Sequence, residues 1–85
     1  MSGQKAVWLS LVVEKNDDGF LARVPGVQGA FAEGETIEEA LFNCVDVVKM
    51  IAGYRAERGE PFGIATVELG EQTQIAVSLP MAVPA

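Results

Sequence analysis

From Ala6 to Glu14 the chain reads AVWLSLVVE, an apolar run rich in the β-branched and aromatic side chains that suit a pleated strand. Strand alternation puts Val7, Leu9, Leu11 and Val13 on one face and Trp8, Ser10 and Val12 on the other. Both faces are largely apolar, which predicts a central strand covered by a helix on one side and another subunit on the other. Asn16, Asp17, Asp18 and Gly19 follow as a cluster of turn formers, and Phe20 to Val24 resumes the strand pattern. The two runs predict an antiparallel hairpin. Pro25 and Gly26 end the second strand, a short third strand is expected over Ala30 to Glu33 after Gly29, and Gly34 breaks it.

The period then changes from two to about 3.6. Thr36 followed by Glu39 is the signature of a helix start, with hydroxyl and carboxylate each satisfying a backbone N–H that lacks a partner in the helix. Glu38 and Glu39 suit the positive end of the helix dipole. Ile37, Leu41, Cys44, Val45, Val48, Ile51 and Ala52 recur at steps of mostly three and four residues, an apolar stripe aimed at the sheet. Gly59, after Arg55 and Arg58, is the expected stop. Ala40, Val47, Met50 and Tyr54 flank the stripe and widen it. They serve as a helix-to-helix subunit contact, or else Val47 and Tyr54 edge the same core.

Beyond Pro61, Phe62 and Gly63 the chain offers two strand-like stretches, Thr66 to Leu69 and the more regular Gln74 to Leu79. The second, over Ile75 to Leu79, is the expected last strand. A long helix between sheet strands predicts a right-handed crossover that sets this strand parallel to the first. The fold class is therefore α+β with order βββαβ: an antiparallel three-stranded sheet, one long helix packed on it, and a final parallel strand. The closing residues MAVPA are too short for a second domain and are expected to fray.

Eighty-five residues make a single domain with a thin core. The chain is 49% hydrophobic and 21% charged, more apolar material than one small core absorbs, so a homo-oligomer, dimer or tetramer, is expected. Its interface would draw on Trp8, Val47, Met50 and Tyr54. The net charge of −6 opposes direct binding to nucleic acid, whose phosphates select Lys and Arg, and favours a basic protein partner. An acidic surface that merely keeps the domain soluble is the plainer alternative. One cysteine and no histidine exclude an internal disulfide and the usual zinc site. No secretory leader pattern and no membrane-length apolar run is read, so a cytoplasmic location is expected.

The residues Asp18-Gly19-Phe20, Pro25, Gly29, Gly34, Thr36, Glu38-Glu39-Ala40 and Asn43 together resemble the N-terminal domain of HicB-like antitoxins. The resemblance covers most of residues 7 to 58 and is densest from Asp18 to Asn43. It implies a partial RNase H-like fold and binding to a small basic RNase toxin of the HicA type. The family usually carries an acidic residue and a second proline after the first, then Gly-Cys. Here the run is Pro25-Gly26-Val27-Gln28-Gly29-Ala30, which leaves open whether this loop meets the same partner, another or none. Many relatives of that kind continue into a DNA-binding module, for which residues 1–85 leave no room, so operator binding is not carried over.

An RNase H-like fold raises the question of a carboxylate cluster for metal-dependent hydrolysis. Turn and cap geometry accounts for Asp17, Asp18, Glu38 and Glu39, and Glu14 alone makes no site. Cys44 has no histidine to activate it, and its place in the apolar stripe suggests a buried thiol. The glycines lack the Gly-Lys-Ser/Thr ending of a phosphate loop. No catalytic residue, metal ligand or cofactor is therefore assigned. Gly19, Phe20, Pro25, Gly29, Gly34, Thr36 and Glu39 are structural. Asp17, Asp18, Glu33 and Glu35 form an expected acidic rim, either a partner surface or simply solvated loops. The expected role is occlusion of an RNase, and the alternative is a free-standing homo-oligomeric module with an unknown ligand.

Overall fold

The computed structural model describes residues 4–84. Its strands are β1 (Gln4–Val7), β2 (Val12–Lys15), β3 (Phe20–Arg23) and β4 (Phe31–Gly34), followed by the helix α1 (Ile37–Glu57) and β5 (Thr66–Leu69). β2, β3 and β4 form an antiparallel sheet with β3 in the middle, and α1 packs across it. The class is α+β, as the pattern predicts.

Three details differ from that expectation. The first strand is broken: residues 8–11 leave the ladder, so β1 and β2 belong to separate sheets. β2 is consequently an edge strand and not a central one. The strand that pairs with β1 is Thr66–Leu69, not Ile75–Leu79, and it runs antiparallel, with Gln4 opposite Leu69 and Val7 opposite Thr66. The parallel crossover expected from the long helix is thus replaced by a return that reverses direction after α1. Residues 73–84 are exposed and enter no strand, and within them Ala82 N–H donates to Glu38 Oε1 at 3.3 Å. Ala85, the end of the stretch expected to fray, lies outside the described residues.

From Trp8 to Val13 the alternation is met side chain by side chain, whereas Val7, expected on the same face as Leu9, belongs to β1 in the other sheet and is not part of this packing. Leu9, Leu11 and Val13 pack against the core, whereas Trp8, Ser10 and Val12 are exposed. The buried centre comprises Ala22, Val24, Val27, Ala30, Ala40, Cys44 and Val48. Ala40 is fully buried and so belongs to the core rather than to the flank of the stripe. Small side chains at Ala22, Ala32 and Ala40 let the helix sit close to the sheet.

The segment from Pro25 to Ala30 is a compact double turn. Val24 N–H donates to Ala30 O at 2.9 Å and Val27 N–H returns to Val24 O at 3.2 Å. Gly26 and Gly29 adopt φ of 91° and 84°, a region that L side chains reach only with strain. Between them Val27 is driven into the core. The stretch that departs from the HicB-like pattern thus plugs the end of the sheet with Val27 and Ala30, and turns Pro25, Gly26, Gln28 and Gly29 outward.

Both helix ends are chemically closed. Thr36 Oγ1 accepts from Glu39 N–H at 3.1 Å, and Glu39 Oε1 accepts from Glu35 N–H at 3.0 Å. The return bond reaches one residue further back than in the usual capping box. At the other end Gly59, with φ of 69°, donates to Ala56 O, and Glu60 N–H reaches Arg55 O at 2.8 Å. This is the paired 5→2 and 6→1 bonding of a Schellman stop. Thr36→Ala is expected to lower stability by about 1 kcal/mol, read as a fall in the urea midpoint with an unchanged slope. Among the described residues no helix is long and apolar enough to cross a membrane.

Candidate functional site

The hairpin turn after β2 and the loop between β4 and α1 lie side by side because Phe20 is in register with Gly34. Between them is an open hollow of about 470 Å³, bordered by Asn16 to Phe20, Glu33 to Glu35, and Glu39. All four residues of the expected acidic rim, Asp17, Asp18, Glu33 and Glu35, lie on this one hollow, although 15 positions separate Asp18 from Glu33 in the sequence.

Two side chains that the sequence does not single out for this site complete it. Asn16 Nδ2 donates to Glu33 Oε2, tying the turn to β4, and its Oδ1 accepts from Asp17 N–H at 2.7 Å. Glu39, assigned to the helix cap, also faces the hollow. Asn16 could have been found from its position: an Asn opening a hairpin turn often bonds its own backbone and so faces the turn's neighbour. The border therefore holds five carboxylates and no basic side chain. The cation beside it is Lys15, whose Nζ stands 5.2 Å from the centre of the Phe20 ring.

These carboxylates gather without converging. Among the described residues no three Asp, Glu, His or Cys side chains are close enough to hold a metal ion. Glu38, next in line on the helix, has its carboxyl held below the ordinary range, first by its own backbone N–H and then by that of Ala82. Cys44 is fully buried, its thiol directed at Ala30 O 3.7 Å away, and burial pushes its pKa up, so it stays protonated at neutral pH.

The expected oligomer contact is not brought together in the same way. Trp8 stands on an apolar groove with Leu41, Phe42 and Val45. Val47 and Tyr54 are two and nine residues from Val45, which places each about 160 to 180° around the helix from it. Trp8 and the Val47–Tyr54 edge therefore flank α1 on opposite sides. Met50 and Tyr54 are 69% and 58% exposed, so they also contribute little to the domain's own core.

In comparison with known proteins, this chain is similar to a UPF0150 protein of Helicobacter pylori (strain J99 / ATCC 700824), with 33% identity over 45 residues. The match takes in 53% of this chain and 62% of the relative, so it spans less than two thirds of the relative's length. No family model matches the chain, and no solved structure matches it.

Proposed function

We propose that this domain is a HicB-like antitoxin module that binds a small basic RNase of the HicA type and neutralises it by covering its active site. One observation carries the reading: the four acidic residues expected to form a partner rim border a single hollow, built by the run that resembles the antitoxin family. The net charge of −6 adds long-range attraction for a basic partner. Occlusion asks no chemistry of this chain.

Charge alone is too weak to hold such a complex. Exposed ion pairs contribute about 0.2 to 1 kcal/mol each, so five carboxylates supply a few kcal/mol at most. The remainder has to come from apolar contact next to the hollow. Glu33 stands opposite Leu21, and Phe31, on the same strand face as Glu33, is 60% exposed. Val12 joins them across Arg23. The acidic hollow steers the partner and the open sheet face holds it.

Titrating the purified domain into the product of the neighbouring gene tests this directly. A stoichiometric complex with loss of RNA cleavage is expected. Undiminished cleavage with the domain in excess overturns the proposal. The exposed apolar groove favours a second reading, a homo-oligomeric module that has no RNase partner, and that reading predicts self-association together with undiminished cleavage.

A further inference from the structure

The most regular strand pattern beyond the helix is found in a segment that forms no strand. Ile75, Val77 and Leu79 alternate with Ala76 and Ser78, yet residues 74–80 enter no ladder and lie exposed along the apolar groove beside Trp8 and Phe42. Ile75, Val77 and Leu79 are 48%, 63% and 56% exposed. Backbone groups in an extended apolar segment without a ladder are a template for another strand.

We propose that this segment pairs with the same segment of a second copy of the chain, antiparallel about a two-fold axis through Val77, so that Ile75 of each copy faces Leu79 of the other. Three observations select a second copy as the occupant. The first is charge: no side chain in residues 72–85 is charged, and of the side chains lining the groove only Glu68 is. In a chain of net charge −6 this is where two copies meet without repulsion, and a basic partner gains nothing from it. The second is the contrast with the other strands that have a free edge. Lys5, Glu14, Lys15, Glu33 and Glu68 place charge on β1, β2, β4 and β5, the device that keeps edges from pairing, whereas Ile75 to Leu79 has no such guard. The third is closure. The pairing uses the same patch on both copies, so the contact closes as a two-fold dimer, and Pro80, which cannot donate to a ladder, limits it to five residues from each copy.

The dimer leaves the acidic hollow free, because hollow and groove share no residue. Self-association and RNase binding can therefore fail independently. Sedimentation of the full chain is expected to give twice the 9.0 kDa chain mass at micromolar concentration. Val77→Lys puts like charges face to face and removes two apolar side chains from the contact, weakening self-association about a hundredfold. It should leave the helical circular dichroism signal of α1 unchanged, with only the strand signal of the lost ladder reduced. Oxidised Val77→Cys is expected to cross-link into a covalent dimer, and Met81→Cys, beyond Pro80, is not. A monomer at all concentrations, a dimer indifferent to Val77→Lys, or equal cross-linking at both positions overturns the proposal. So does a dimer dispersed by Tyr54→Lys but not by Val77→Lys, which would place the contact on the other flank of the helix.

Discussion

Gly34→Ala is expected to cost about 3 kcal/mol, a large share of the stability of a domain this small. A methyl group at Gly34 would lie 2.8 Å from the Glu39 carbonyl carbon and 2.9 Å from Ala40 Cα, closer than real contacts come. Both are backbone atoms of the first helical turn and cannot swing aside as the end of a long side chain would. Gly19 is confined in the same manner, its would-be methyl 3.3 Å from the Gly34 carbonyl carbon. The hairpin turn, the end of β4 and the helix start are thus locked together through two glycines chosen for lack of space; neither has a positive φ. Gly53→Ala is the internal control, because its added methyl meets nothing and alanine favours the helix by about 1 kcal/mol. Urea denaturation should lower the midpoint for Gly34→Ala and raise it for Gly53→Ala. A Gly34→Ala protein within about 0.5 kcal/mol of the parent would show that the helix can move off the sheet freely.

Neutralising the rim with Asp17→Asn, Asp18→Asn, Glu33→Gln and Glu35→Gln together is expected to weaken RNase binding about a hundredfold, from four exposed pairs at up to about 1 kcal/mol each. The replacements keep shape, and the amide oxygen that Glu33→Gln introduces can still accept the bond from Asn16 that joins turn to strand. Loss of affinity would therefore reflect charge and not unfolding. The association rate should fall most, and its salt dependence should flatten, as steering at a distance requires. Equal neutralisation at Glu57, Glu60, Glu68 and Glu71, all outside the hollow, makes the same change in net charge and should cost much less. Equal losses from the two sets would mean that only the overall charge matters.

The local elements were legible because each rests on neighbouring residues. Thr36 and Glu39 announce the helix start, Gly59 its end, and Asn16 to Gly19 the hairpin. The nearness of Asp17 and Asp18 to Glu33 and Glu35 rests instead on the pairing of β3 with β4, which sets Phe20 opposite Gly34. Long-range pairing was not legible. Ile75 to Leu79 has better alternation than Thr66 to Leu69, yet the latter takes the place beside β1, because proximity after the helix outweighs local pattern. The break at residues 8–11 has no local mark either, as Trp8 to Leu11 reads as uninterrupted strand. Val27 was hidden by its setting: an apolar residue between two turn glycines reads as a loop, and only φ near 90° at both glycines turns it inward.

If the domain works by occlusion, the hollow, and not the groove, is the place where a basic partner sits. Amide chemical-shift mapping of the labelled domain on addition of the RNase measures this most directly. The predicted result is perturbation at Asn16 to Phe20 and Glu33 to Glu39, spreading to Leu21 and Phe31, with Ile75 to Leu79 unmoved. Shifts confined to Trp8, Phe42 and residues 74–80, with the hollow silent, would contradict it.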